Sequence, residues 1–469
     1  VNPVNGILSV VSQQVLKMAD SFSGVIAFAF MSSMILVGTV LRARVPWFQF
    51  ALIPASLLGG LIGFLLVSAD YAFGYTSQDF VPFAFHFFTL SFMSLVLTGK
   101  EASADNKSIQ PGGIWLATGW TMSLVLQALV GLSVLVTYNL VTGGELSHYL
   151  GMLVTHGFTQ GPGQAMAIGS IWESEFGVSA AVNFGLIYAS MGFVISFVIG
   201  VPAARYAIKN GLNQNTAARL TEEFLVGVHD ESARPEAGRQ VTHSANVDSL
   251  VFHLSILGVA YLATNEYLLL MQSLLDGAVF LGLPMGLLFS HNMFFIHGLL
   301  VCLILRGAIN RLGYGHCIDN ETQKRITGSS VDLMMVGTVM SIQFALLANY
   351  LVPILAVCLA AAATTALMCF LFGRMLNTLP IERAITLFGC CTGSTGSGLL
   401  LLRILDPDLS TPVARELAYF NVAIIFFSLH VLMFMAPILP SFDLSVVCAV
   451  YGATFAVGGG LLWFLSPRT

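Results

Sequence analysis

Two glycine-rich polar tips, Thr155-His-Gly-Phe-Thr-Gln-Gly-Pro-Gly-Gln164 and Cys390-Cys-Thr-Gly-Ser-Thr-Gly-Ser-Gly398, lie deep inside apolar sequence. They recur at corresponding places in two halves, Gly161-Pro162-Gly163 preceding Gly396-Ser397-Gly398 by 235 residues. Hydrocarbon offers peptide groups no hydrogen-bond partner, so irregular backbone at membrane depth persists only inside protein or beside water. A matched pair of interrupted apolar segments therefore marks the binding site of a secondary transporter.

The sequence around the tips is that of a polytopic membrane protein. Of 469 residues, 56% are hydrophobic and 9% charged, where soluble domains carry about 25% charged residues. Apolar runs of about 17 to 25 residues, enough to cross roughly 30 Å of hydrocarbon, recur from Ser23 onward. The expected spans in the first half are 23–41, 48–67, 81–98, 114–140 and 180–204, with a broken segment at 148–172. The second half gives 248–264, 279–305, 329–349, 351–372 and 413–437, with a broken segment at 381–402 and an extra C-terminal span at 443–465. Residues 1–22 read as a short N-terminal surface helix, 23–208 as a first repeat, 209–247 as a cytoplasmic linker, 248–437 as a second repeat and 438–469 as the extra C-terminal helix.

Basic residues decide the topology. If both broken segments are re-entrant hairpins, the N-terminus is outside, the linker is inside, and Arg42, Arg44, Lys100, Lys107, Arg205, Lys209, Arg219, Arg234, Arg239, Arg306, Arg311, Lys324, Arg325, Arg374, Arg383, Arg403, Arg415 and Arg468 are all cytoplasmic. Only Lys17 of the nineteen is then outside. If 148–172 spans instead, Arg205, Lys209 and the linker arginines move outside, against the positive-inside bias. With hairpins, each half holds five spans and one hairpin, and the second half is inverted because it starts on the opposite side. Trp47, Trp115, Trp120, Trp172 and Trp463 fall near expected span ends, where indoles favour the headgroup level.

In the first hairpin, two half-helices of about ten residues rise about 15 Å, which puts Gln160-Gly161-Pro162-Gly163 near the midplane. Free N–H groups at a half-helix N-terminus favour an anion, so Thr159, Gln160, Gly161, Gly163 and Gln164 suit a carboxylate. The second tip offers Thr392, Ser394, Thr395 and Ser397 between Gly393, Gly396 and Gly398. Thr392, Ser394, Thr395, Gly396, Ser397 and Gly398 are candidates for the substrate as well; hydroxyls and freed carbonyls are hard ligands that also suit Thr392, Ser394 and Thr395 to sodium, and neither tip carries an Asp, Glu or Lys for a proton relay. Asn183 and Asn421 lie in the spans after the hairpins and join the candidates, Asn183 for substrate and Asn421 for sodium; Gln343 is similar. Gly185, Gly192 and Gly200 along one span read as packing glycines.

Other chemistry finds little footing. The seven cysteines are mostly in apolar runs without C-x-x-C spacing and read as small buried apolar residues. His86, His253 and His430 are isolated and read as packing residues. The second tip has no lysine after its glycines, so it is no phosphate loop, and no histidine accompanies Ser394 or Ser397 within the hairpin. A G-x-S-x-G elbow and a basic arm for nucleic acid are both missing, which argues against an enzyme and against a nucleic-acid partner.

The chain resembles the bacterial sodium/glutamate symporter family in Ile53-Pro-Ala-Ser-Leu-Leu-Gly-Gly60, in Gln160-Gly-Pro-Gly-Gln-Ala165, in Phe184-Gly-Leu186 through Gly200-Val-Pro-Ala-Ala-Arg205, and in the glycine-rich second tip. The resemblance implies a homodimer in the bacterial inner membrane, two inverted five-helix repeats with re-entrant hairpins, elevator-like movement of a core against a scaffold, and hairpin glycines at Gly161, Gly163, Gly396 and Gly398. Where glutamate symporters typically carry Gly-Gly-His-Gly-Thr in the first tip, this chain has Gln160-Gly-Pro-Gly-Gln164. The expected function is sodium-coupled symport of glutamate or a related small carboxylate, with sodium as coupling ion and no other cofactor. A uniporter or exchanger of another organic anion is the alternative within transport, and a channel the alternative outside it.

Overall fold

The computed structural model describes residues 3–98, 111–215, 222–231, 234, 237–280, 283–407 and 409–466, with side chains from Phe22 onward except at 280, 283, 418, 422 and 425. Lys100, Lys107, Arg219 and Arg468 of the charge argument lie outside the described residues, as does the side chain of Lys17. Apart from one short antiparallel bridge between Val279–Phe280 and Leu283–Pro284, the regular structure is helical. Among the described residues eight helices are long and apolar enough to cross a membrane, or nine if one bent pair is counted.

The principal helices are α1 (Pro3–Arg44), α2 (Ala55–Ser68), α3 (Val81–Leu97), α4 (Pro111–Thr142), α5 (Pro162–Phe176), α6 (Ala181–Lys209), α7 (Ser249–Leu274), α8 (Phe294–Arg311), α9 (Asn320–Met340), α10 (Leu351–Gly373), α11 (Pro380–Thr392), α12 (Thr395–Leu405), α13 (Pro412–Leu429) and α14 (Leu444–Leu465). Proline at the first position, where no intrahelical N–H is needed, starts α4, α5, α11 and α13. Carboxylate caps start two others: Asp248 accepts from Leu250 N at 2.8 Å before α7, and Asp319 from Thr322 N at 2.8 Å before α9.

Several expected spans are redrawn. Residues 3–22 continue into α1 as one helix. The span expected at 48–67 breaks where Leu52 takes φ 50° and Pro54 precedes α2. The Asp319 cap makes α9 begin at Asn320 rather than at 329, and α9 ends at Met340, so Gln343 is the cap of a separate short helix, Phe344–Asn349, rather than a mid-span residue. The last span of the second half bends by 40° between Pro412–Asn421 and Phe426–Ser441. Three of the five tryptophans are not headgroup anchors: Trp115, Trp120 and Trp172 are buried in protein, with Trp120 Nε1 on Thr159 O and Trp172 Nε1 on Ala436 O. An indole N–H that finds a buried carbonyl has no need of the interface.

The helices fall into two packed groups. In one, α3 packs on α9, α1 and α9 pack on α2, and α3 and α7 pack on α8. In the other, α4 is central and carries α10, α13 and α14, while α6 carries α5, α11 and α12. The groups meet where α3 touches α5 and α9 touches α6. Contacts between the linker and the helix ends gather many basic connections on one face. Arg42 Nη2 donates to Phe224 O at 3.0 Å, Arg325 Nη1 to Ala237 O at 2.9 Å, and Arg239 N to Asp319 Oδ2 at 3.2 Å. At the other end, the Tyr75 hydroxyl reaches Ser23 O at 2.9 Å.

Candidate functional site: two helix breaks that meet

The two ends of each broken segment are tied to common partners. The ends of the second are stapled by one residue: Asn215 N donates to Glu382 Oε1 at 3.0 Å, and its amide nitrogen donates to Leu405 O at 3.1 Å and Asp406 Oδ1 at 3.2 Å. Beside it Arg383 forms a buried two-pronged ion pair with Glu416, at 2.6 and 2.8 Å, that ties α11 to α13. In the first segment, Tyr149 near its start and Trp172 near its end meet edge to face with ring centroids 6.1 Å apart. Their polar atoms reach the same turn, Tyr149 Oη donating to Pro440 O at 3.4 Å and Trp172 Nε1 to Ala436 O at 2.8 Å.

The breaks share a backbone pattern. Gly161 has φ 93°, ψ −177° and precedes α5; Ser394 has φ 132°, ψ 171° and precedes α12. Glycine reaches such angles freely, but serine reaches them only under strain. The second break is thus at Gly393-Ser394, and Gly396, Ser397 and Gly398 form the first turn of α12 rather than the break itself.

The tips touch across the core. Thr159 Oγ1 donates to Cys391 O at 3.0 Å and to Gln127 Oε1 at 2.7 Å, and Gln127 Nε2 donates to the same Cys391 carbonyl at 2.8 Å. On α6, Gly192 has no Cβ and so admits the Thr392 carbonyl and Phe158 together. Gly185 lies against Ala165 and Gly200 against Leu401, as packing glycines should. Both tips also face the other helix group. Gly163 lies against the Phe88 ring of α3, and a Cβ on Gly396 would stand 3.5 Å from Val331 Cγ1 of α9.

The polar groups at the tips are underused within the protein. Gln160 and Gln164 are buried, and the amide nitrogens of both have no protein partner; Gln160 Oε1 contacts His156 Nδ1 at 3.3 Å. The hydroxyls of Ser394 and Ser397 are also buried without partners. Thr392 Oγ1 donates to Phe388 O at 2.8 Å, and Thr395 Oγ1 donates to Asn421 Oδ1 at 3.2 Å. Buried donors left unpaired are costly and call for a ligand, ion or water.

Most of the expected residues are gathered here, but Asn183 is not. It lies nine residues before Gly192 on α6, about 13 Å along the helix, next to Val182, which packs on the C-terminal part of α5. Sequence reasoning passed over four residues: Gln127, Ser196 and Asp332 at the site or its edge, and Thr365 in the helix frame behind it. Gln127 and Thr365 meet at 2.9 Å where α4 crosses α10. Ser196 of α6 is buried with a free hydroxyl, and its Cβ would stand 3.1 Å from a Cβ on Gly393. Asp332 is an acid inside an expected span, exposed beside Ser56 and adjacent in sequence to Val331. An acidic residue within an apolar run was a legible signal for it. The other three could be found only from the helix crossing. Of the three histidines expected to be packing residues, His253 is buried, its Nε2 accepting from Asp319 N at 2.9 Å, whereas His430, whose Nε2 contacts Thr454 Oγ1 at 3.0 Å, and His86, beside the Tyr261 hydroxyl, are exposed. All seven cysteines are free and five are buried.

Apolar spanning helices around two opposed helix breaks, with buried donors unpaired at both, define a multi-pass membrane transport protein. The description Sodium/glutamate symporter matches residues 21–380, and the chain belongs to that family. The match stops where α11 begins, ahead of the second tip. No curated protein matches the chain.

Proposed function

We propose that the protein is a sodium-coupled symporter of glutamate or a related small carboxylate, working by movement of a core of α4–α6 and α10–α13 against a scaffold of α1–α3 and α7–α9. The observation that carries this reading is the pair of opposed breaks with buried, unpartnered Gln160 and Gln164 amide donors at one and Ser394 and Ser397 hydroxyls at the other. The first break leaves the N-terminus of α5 and two unpartnered amides close together in sequence, which suits a carboxylate. The second offers hydroxyl oxygens, with Thr392, Thr395 and Asn421 close by, which suits sodium.

The packing supports an inverted repeat with re-entrant hairpins. Exchange of the halves turns the α1–α2 pair into α7–α8 and the α2–α9 pair into α8–α3, and returns the α3–α9 and α4–α10 pairs to themselves. With both segments re-entrant, the distribution of basic residues favours an outside N-terminus and a cytoplasmic 209–247 linker, and the family resemblance favours a homodimer in the bacterial inner membrane. The test is uptake of labelled glutamate into proteoliposomes under an inward sodium gradient. It should saturate and show counterflow, as a channel does not. Thr392→Ala and Ser394→Ala should weaken the sodium dependence about five- to a hundredfold, the equivalent of about 1 to 3 kcal/mol for a lost oxygen ligand. Equal uptake driven by protons in sodium-free buffer rules out sodium coupling, and glutamate indifference with uptake of another organic anion moves the protein to the exchanger or uniporter reading.

A further inference from the structure

We infer that Gln127 is the positioning residue that couples the two tips, so that sodium at one and substrate at the other favour the same arrangement of the core; this rests on the symport reading above. Gln127 lies in the middle of α4 and is fully buried. Its Nε2 donates to Cys391 O at 2.8 Å, Thr365 Oγ1 at 2.9 Å and Ser123 Oγ at 3.0 Å, two hydrogens shared among three acceptors. Its Oε1 accepts from Thr159 at 2.7 Å, and Thr159 in turn shares its proton with Cys391 O at 3.0 Å. One amide thus holds the residue two before the Gly161 break and the residue three before the Ser394 break, and fastens both to the crossing of α4 with α10.

The arrangement differs from ordinary helix glue in what it joins. Ser123 and Thr365 tie Gln127 to the helix frame, while Thr159 and Cys391 are the approaches to the proposed carboxylate and sodium tips. Trp120, about two turns before Gln127 on α4, adds a bond from its Nε1 to Thr159 O at 3.2 Å, so the first approach is held at both its hydroxyl and its carbonyl. A ligand that draws the second tip inward moves the Cys391 carbonyl, and through Gln127 and Thr159 it shifts the first tip. Coupling of this kind is a reciprocal free energy between sites: sodium must raise substrate affinity by the same factor that substrate raises sodium affinity.

The experiment measures glutamate affinity of the purified full-length protein with saturating sodium and with choline in its place, for wild type, Gln127→Leu, Gln127→Glu and Thr365→Val, beside ligand-free melting temperatures. Gln127→Glu still accepts from Thr159 but has at most one proton to share among Cys391, Thr365 and Ser123, where the amide has two, and so weakens one of the two links. Thr365→Val removes a frame contact and touches neither tip. The ratio of affinities with and without sodium should fall at least tenfold in Gln127→Leu and by less in Gln127→Glu, and should stay at the wild-type value in Thr365→Val. Should Gln127→Leu fail to fold, the Gln127→Glu ratio decides alone, because that variant preserves shape. A wild-type ratio in the folded Gln127 variants overturns the inference and leaves symport standing. An equal fall in Thr365→Val also overturns it, since any loss of packing would then suffice. A ratio of one in wild type overturns the symport reading and the coupling together.

Discussion

At the residue scale, small groups decide what the tips can hold. Gln164 has no protein partner for its amide nitrogen. Gln164→Ala should therefore raise the substrate constant about five- to a hundredfold, because a buried carboxylate loses a donor worth about 1 to 3 kcal/mol. Gly163→Val should abolish binding in a protein that still folds, since any Cβ there meets the Phe88 ring and pushes the tip off α3. Affinities in detergent beside melting temperatures check both, and wild-type affinity in the two variants would reduce the first tip to a packing device. Ser394 is the reverse case, a side chain where glycine fits better. Strain at such angles costs about 1 to 3 kcal/mol. Ser394→Gly should raise the melting temperature and weaken sodium dependence together; a lowered melting temperature with intact sodium dependence would show that the serine is there for neither reason.

At the element scale, the broken segments are short helices with their ends held together. Asn215 grips both ends of the second, and the turn at residues 436–441 accepts from both ends of the first. Single cysteines at Glu145 and Ser174 in a cysteine-free background should both react with an impermeant thiol reagent from outside, and cysteines at Asn377 and Arg415 both from the cytoplasm. Labelling of either pair from opposite sides would convert that hairpin into a span and reverse every later element. On α9, the exposed residues Glu321, Lys324, Arg325, Gly328, Ser329 and Asp332 repeat at three- and four-residue spacing. A stripe this polar cannot face lipid, so a cysteine at Ser329 should label from the cytoplasm.

At the scale of the whole molecule, the tips stand where the two helix groups meet, Gly163 on Phe88 and Gly396 beside Val331. Phe88 packs in turn on Phe92 and, across the halves, on Phe295, with centroids 4.7 and 5.3 Å apart. If the core slides, a disulfide joining Val331→Cys to Gly396→Cys should stop uptake until reductant is added. A disulfide joining Met93→Cys to Gly298→Cys, both inside the scaffold and in contact, should leave uptake intact. Uptake that survives complete Val331–Gly396 cross-linking would exclude a sliding core.

The chain's apolar runs, its basic connections and its paired glycine tips were enough to read a helical membrane transporter, because lipid restricts what a backbone can do and the restriction shows in composition. The sequence also marked Gln160, Gln164, Ser394 and Ser397, polar residues with no reason to be in an apolar run. It could not mark Gln127, Thr365 or Ser196, each a lone polar residue on a spanning helix, because what such a residue bonds depends on which helix crosses it and at what depth. It misjudged Trp120 and Trp172 for the same reason, since an indole anchors at a membrane surface or on a buried carbonyl according to what packs over it. Tertiary structure alone moved the second break to Ser394 and brought Thr159 onto Cys391, contacts between residues 232 apart that arise only when both halves fold onto one crossing of α4 and α10.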